Sequence, residues 1–482
     1  MFEEFKYSEE SVKKTEESVK TTEEVLKTTE EVDNEIKTSL SEEQQIALDK
    51  FERNENIFLT GPAGTGKSFL INQMVHIART KGKRIQITAM TGVAAILLGR
   101  RASTLHSFSG IKLAQDEPAI TAQKVWNNIK HKNIWKQTDI LVIDEVSMMS
   151  QHIFDTLVQI FVLMPHPIQL VFVGDMFQLP PVGRNTAETR FCFESVFWSE
   201  YFPYENHIEL RTIFRQNDPL YIQILNEIRE GTTSEETIRI LATRIQTPPS
   251  DKVLTRFFPK RESVDQINRK AFSQLSGVSY EYPVVPCTKM RFYMDTGVPI
   301  VGNKKLTQVE QAREIESLTK NTQTGPLTLR IGAQIMCTAN LDINNGIVNG
   351  SQGKVIGFIY NPSVKVFDKH VPMALPIVEF VNGTRMTMTH KVWQSANEPS
   401  VAITQMPMIL CWAMTIHKSQ GATLESAEMD IGTDIFEYGQ AYVALSRVKT
   451  IDGLYLRSFH PQKIRANPVV TAFYTRIRAL RK

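Results

Sequence analysis

Eight consecutive residues, Gly61-Pro62-Ala63-Gly64-Thr65-Gly66-Lys67-Ser68, have the types and order needed to hold a polyphosphate. Glycines let a backbone turn tightly and aim several N–H groups at one anion, and a helix starting beside them adds its positive end. In such a loop the Lys67 ammonium reaches the β and γ phosphates, and the Ser68 hydroxyl ligates Mg²⁺. The apolar run Ile57-Phe58-Leu59 leads in and the helical pattern Phe69-Leu70-Ile71-Asn72-Gln73-Met74 leads out. A chance glycine-rich turn has no reason to sit between a buried strand and a helix. A nucleoside triphosphate site is expected here.

Two further segments carry polar groups to the end of an apolar run. Leu141-Val142-Ile143 ends in Asp144-Glu145. Open α/β sheets bind ligands at the carboxyl ends of their strands, where Asp144 can hold Mg²⁺ and Glu145 can polarise an attacking water. Alone, a strand closing on two acids is a charged turn; after a complete phosphate loop it reads as catalytic. Val171-Phe172-Val173-Gly174-Asp175-Met176-Phe177-Gln178-Leu179-Pro180-Pro181 repeats the design. Gln178 is placed to sense the γ-phosphate or its water. Phe177 and the prolines could line a face met by bases, or form a stiffened turn.

The elements that must position these groups follow from periodicity. Ser41 with Gln44 three residues on marks a helix start. Short apolar runs at Arg84–Thr88, Ile140–Ile143 and Leu170–Val173 alternate with helical segments. That alternation predicts an α/β fold with doubly wound parallel sheets. Pro219–Gln246 is helical. Beyond Thr328 the period moves towards two, with strands expected at Lys354–Tyr360, Val364–Phe367, Ile377–Val381 and Thr384–Trp393, separated by Asn-Gly and Asn-Pro turns. A small barrel-like insertion is expected there, with the α/β pattern resuming from Ile409.

Bulk properties narrow the class. A chain of 482 residues exceeds one hydrophobic core. No apolar run spans a bilayer, and the acidic opening residues lack a signal h-region, so an intracellular protein (nuclear or cytoplasmic, not secreted) without membrane contact is expected. Cys192, Cys287, Cys337 and Cys411 are far apart, as in reduced, buried thiols. Residues 1–40 hold twelve acidic and six basic side chains, whereas the remainder holds 49 basic against 40 acidic. A mildly basic body permits phosphate contacts. Residues 9–36 repeat every seven positions with one sustained apolar column, too few for a coiled coil, and are expected to be a solvated tail.

With these residues in place, the chain resembles the superfamily 1 DNA helicases, in particular the Pif and RecD-like group that includes the phage Dda helicase. The resemblance runs from about Leu40 to Val448 in the group's order. It is carried by LSEEQ, GPAGTGKS, TAMTGVAA, STLHSFSGI, LVIDEVSMM, VFVGDMFQLPPV, LRTIFRQ, TIHKSQG and QAYVALSR. Ser150–Gln169 is more compact than the matching Pif-family segment, which keeps Pif-type and RecD- or Dda-type membership both open.

The resemblance implies two RecA-like doubly wound domains with an SH3-like barrel inserted in the second. The corresponding boundaries are an acidic tail at 1–38, a first domain at 39–215 with a small hairpin insertion at about 97–115, a second at 216–350 and 405–482, and the barrel at 351–404. It implies ATP and Mg²⁺ as cofactors, Gln44 as reader of the base, and Gln420 and Gly421 beside the nucleotide. Arg215 and Arg447 become candidates to neutralise the γ-phosphoryl group, worth roughly 10³–10⁵-fold in rate. DNA contacts fall on Thr91, Thr104, His106, Ser107, Phe108, Phe177, Thr415, His417, Lys418 and Ser419. His106 and His417 have no Cys/His partners at zinc-ligand spacing, and Phe108 reads equally as core. The implied activity is ATP-dependent, 5′→3′ unwinding of tailed duplex by a monomer moving on single-stranded DNA, with the tail available to partner proteins. A translocase that does not unwind, and a nucleotide-gated scaffold, stay open beside it, as does RNA as the strand.

Overall fold

Ser41 and Gln44 cap each other at the start of the first helix, α1 (Glu42–Glu52), the Ser41 hydroxyl accepting from the Gln44 N–H and Gln44 Oε1 accepting from the Ser41 N–H. The computed structural model describes residues 40–479 apart from 99–101, 113, 115, 184–188, 250–253, 289–291, 294–298, 301–305, 323–324, 340, 343–344, 346, 348–349, 368, 396–399 and 422. The heptad-patterned tail at 1–38 therefore lies outside the described residues.

The first unit is a six-stranded parallel sheet. After α1 come β1 (Ile57–Thr60), α2 (Lys67–Thr80), β2 (Ile85–Ala89), α3 (Gly92–Leu97), β3 (Ser103–Thr104), α4 (Leu105–Ser109), β4 (Ile140–Asp144), α5 (Gln151–Leu163), β5 (Gln169–Val173) and β6 (His207–Glu209). The strands lie in the order β3-β2-β4-β5-β1-β6, every neighbouring pair parallel. Because side chains alternate along a strand, Ile57 and Leu59 join Val142, Val171 and Val173 in one core, while Phe58 joins Leu141, Ile143 and Phe172 in the other. Both faces are covered, which is why the strands read as continuous apolar runs.

The second unit opens with α6 (Pro219–Glu230), whose Tyr221, Ile224, Leu225 and Ile228 form one apolar stripe at helical spacing. β7 (Thr255–Phe258) follows, then a β-rich module containing the hairpin β8 (Gln352–Val366) and β9 (Lys369–Phe380). The unit closes with β10 (Ala413–Thr415), β11 (Ala427–Ile431), α7 (Gln440–Leu445) and β12 (Leu454–Phe459). Its parallel sheet runs β10-β7-β11-β12. Two parallel α/β sheets are thus present.

Five expectations need correction. The β-rich module is larger than 351–404: its core already includes Tyr282, Leu329 and Ile335 and extends to Met408. Gln352, Gly353 and Lys354, at the expected opening of the barrel, pair antiparallel with Gln334–Met336, so that opening lies inside the module. The Asn361-Pro362 turn is a bulge within β8, where the pairing register slips between Asn361 and Val364. Among the described residues of 97–115 there is no hairpin; β3 joins the main sheet as a parallel edge strand and α4 follows. Lastly, the C-terminal helix α8 (Pro468–Ala479), expected in the second unit, packs Val470, Tyr474 and Ile477 into the core of the first.

Candidate nucleotide site

The phosphate loop leaves β1 through three glycines at positive φ: Gly61 at 144°, Gly64 at 84° and Gly66 at 84°. A Cβ on Gly64 would stand 2.6 Å from Arg215 Cβ, so only glycine admits this approach. The Phe214 N–H donates to Gly64 O at 2.8 Å and Gln44 Nε2 to Thr65 O at 3.3 Å. Lys67 Nζ folds back to Gly61 O (2.8 Å) and Pro62 O (2.7 Å). Removal from water pulls its ammonium down to about 8, against the fields of Asp175, Glu145 and Asp144.

Asp144 closes β4, and its Oδ1 accepts the N–H of Glu145 at 2.8 Å. Glu145 occupies left-handed backbone space, φ 56° and ψ 41°, a conformation that costs of order 1–3 kcal/mol in a residue with a Cβ. Such strain is tolerated where it aims a side chain. Burial, and then the charge of Glu145, push the Asp144 carboxyl up to about 7. Burial also raises Glu145, opposed by Arg447, Lys67 and a hydrogen bond from Gln420.

The second unit completes the cavity. It encloses about 240 Å³ and is lined by Lys67, Ser68, Asp144, Glu145, Gln178 and Arg215 together with Gly421 and Arg447. Arg447 is 2% exposed, and burial beside Arg215 pulls its guanidinium down to about 10. Its Nε donates to Val443 O and its Nη2 to Ser446 Oγ, both at 2.8 Å. Arg215 Nη1 donates to Ser446 O at 3.3 Å. Gln178 is buried, and its Oε1 has no hydrogen-bond partner among the described residues. Gln178 is one of the residues lining the cavity, and a buried acceptor without a partner calls for an explanation.

Gln44, assigned to the base, packs against the phosphate loop. Both ends of its amide are engaged, with Ser41 N and with Thr65 O, so it braces the loop and does not line the cavity.

The residues assigned to a nucleic-acid strand divide. Thr91 caps α3 and Thr104 caps α4, each hydroxyl accepting a helix N–H. With Ser107 and His106 they are half-buried near the carboxyl ends of β2 and β3. Thr415 and His417 are half-buried and Lys418 is exposed at the end of β10. Three assignments need correction. Phe108 is 5% exposed and packs its ring 4.8 Å from that of Trp135, in the core. Phe177 is 4% exposed and stacks on Tyr474 at 4.7 Å. Ser419 is buried, its hydroxyl donating to Ile416 O. Apolar and small side chains inside a polar motif were read by their motif, whereas packing decided where they went.

Sequence reading also missed lining residues. Ala94 and Leu98, just beyond the segment assigned to the strand, border the nucleotide cavity, as does Phe69. The Tyr442 hydroxyl accepts the Ala63 N–H of the phosphate loop at 2.8 Å. Its place inside QAYVALSR was the available signal.

Residues 39–239 match the family model described as PIF1-like helicase, and residues 318–358 match that of the DNA helicase Pif1 2B domain. ATP-dependent DNA helicase PIF1 of Danio rerio is 34% identical over 455 residues, covering 92% of this chain and 65% of its own length. The chain thus spans just under two thirds of that relative. The crystal structure of Pif1 helicase from Candida albicans superposes with a TM-score of 0.73 at 31% identity, over 91% of this chain and 99% of that one. Bacteroides Pif1 bound to ssDNA superposes at 0.59 with 25% identity, over 91% and 96%.

Proposed function

The chain belongs to the PIF1-like helicase family, and from that premise we propose that it is an ATP-dependent DNA helicase that translocates 5′→3′ on single-stranded DNA and unwinds tailed duplex as a monomer. The observation that carries the reading is a cavity whose walls come from both units. Lys67, Ser68, Asp144 and Glu145 stand on the first, Gly421 and Arg447 on the second. A nucleotide filling it touches both, so binding favours their approach and hydrolysis releases it. Alternating grip on the strand turns that cycle into steps. Each base-pair step of duplex resists with only about 1.4 kcal/mol, within reach of a small stroke.

The residues present suit Mg²⁺. Ser68 and Asp144 line the same cavity, and Mg²⁺ characteristically takes one or two protein oxygens and completes its shell with phosphates and water. Bound there, the ion supplies positive charge to the β and γ oxygens. Asp144 offers it a carboxylate held near neutrality. Glu145 takes a proton from the water that Gln178 orients. Arg215 and Arg447 neutralise charge on the transferring phosphoryl group.

The test is displacement of a labelled strand from paired 5′-tailed and 3′-tailed duplexes, with ATP and Mg²⁺. Unwinding of the 5′-tailed substrate alone is expected. Strand-stimulated hydrolysis without displacement would assign a translocase instead, and unwinding from the 3′ tail would reverse the polarity.

A further inference from the structure

Phosphoryl transfer as read above uses Asp144 and Glu145 but leaves a third carboxylate without a task. Asp175, just beyond β5, is 0% exposed, and its field is the strongest of those holding the charge on Lys67 against burial. A lone buried carboxylate in that place would compete with phosphate for the ammonium. It is not alone. Arg229, 3% exposed near the end of α6, grips it with two prongs, Nη2 to Oδ1 at 2.8 Å and Nε to Oδ2 at 3.0 Å. The guanidinium stacks 4.6 Å from the Phe177 ring and 5.2 Å from that of Tyr474. The Tyr474 hydroxyl contacts Thr60 Oγ1, at the end of β1, and accepts the Met176 N–H at 3.2 Å. The cation that answers Asp175 therefore comes from the second unit, stacked on a ring pair built from the segment after β5 and from α8.

We infer that Arg229 is a positioning residue for the nucleotide site: carried by the second unit, it neutralises Asp175 and so leaves Lys67 available to phosphate. This rests on the ATP-site reading. With Arg229 gone, the Asp175 charge both repels a polyphosphate and holds back the ammonium. Neutralising Asp175 as well removes that charge without rebuilding any bridge between the units. The electrostatic role and a merely structural one therefore part company in the double variant.

The experiment titrates the full chain with a fluorescent ATP analogue and Mg²⁺, alongside melting temperature, for the wild type, Arg229→Met, Asp175→Asn and the double variant. Arg229→Met is expected to weaken nucleotide binding by about tenfold, the effect of roughly one poorly screened charge. The double variant is expected to regain affinity to within about threefold of wild type while its melting temperature stays lowered. Unchanged affinity in Arg229→Met, or a double variant as weak as the single, overturns the inference. Where Arg229→Met does not fold, the double variant decides alone, near-wild-type binding supporting the role and weak binding ending it. A wild-type chain that binds no nucleotide is a different result and sinks the ATP-site reading itself.

Discussion

Gln420 donates its Nε2 to Glu145 Oε2 at 2.7 Å, so the carboxylate assigned to water activation is held by a side chain of the other unit. Glu145→Gln is expected to bind Mg·ATP within a fewfold of wild type and to lose about 10²–10⁴ in turnover, the range for removing a general base. Gln420→Ala should lose less, about tenfold, because water can replace one hydrogen bond. Steady-state hydrolysis with added oligonucleotide measures both. Normal hydrolysis by Glu145→Gln would remove it from the chemistry.

Arg447 has its Nε and Nη2 tied to Val443 O and Ser446 Oγ, which fixes the plane of the guanidinium at the cavity wall. Held at about 10, it keeps its charge at neutral pH despite burial. Arg447→Ala is expected to lower kcat by about 10³-fold with KM for ATP little changed, since the charge it answers develops in the transition state. Arg447→Lys should not rescue, because a single ammonium cannot reproduce the fork. A rise in KM with kcat intact would make Arg447 a ground-state contact.

Asp144 and Lys67 set opposite limits on pH. The Asp144 carboxyl stands at about 7, so below that it carries a proton and cannot serve Mg²⁺. Lys67 stands at about 8, so above that it loses the ammonium that phosphate needs. Affinity for Mg·ATP is therefore expected to peak between the two values, falling by up to about tenfold per unit on either side. Nucleotide titrations from pH 6 to pH 9 check this, with Asp144→Asn removing the acid limb and Lys67→Ala the alkaline one.

What the sequence made legible was what lies close together along it. The phosphate loop, Asp144 and Glu145 could be read because each is a short run whose chemistry depends on its own neighbours. The capping pair Ser41 and Gln44 was visible for the same reason. Arg215 and Arg447 were reachable only through resemblance, since a single arginine has no local signature. Contacts between residues far apart along the chain were not legible at all. Thr60 meets Tyr474 across 414 positions and Ala63 meets Tyr442 across 379, and no periodicity encodes such a partner. Gly439 shows the same limit. At φ 70°, a Cβ there would stand 2.3 Å from Phe177 O, so the glycine lets α7 dock on the segment after β5, a partner its own neighbours in the sequence do not name. The β-rich module was misjudged because residues well before 351, such as Tyr282, Leu329 and Ile335, complete its core.

Phe108 gives the sharpest test of packing against motif position. Its ring fits between α4 and Trp135, whose Nε1 donates to Ser109 O at 3.1 Å, so that the two aromatics lock α4 to the core. Removing it should leave a cavity: Phe108→Ala is expected to cost about 3–5 kcal/mol of stability. Phe108→Leu fills most of that space and should lower the melting temperature while leaving affinity for a single-stranded oligonucleotide within about twofold. Lys418→Ala is the contrasting case. Lys418 is exposed, so its loss should leave the melting temperature unchanged, weaken strand binding and flatten its salt dependence by about one counterion. A Phe108→Leu chain with unaltered melting temperature but tenfold weaker strand binding would return Phe108 to the nucleic-acid surface.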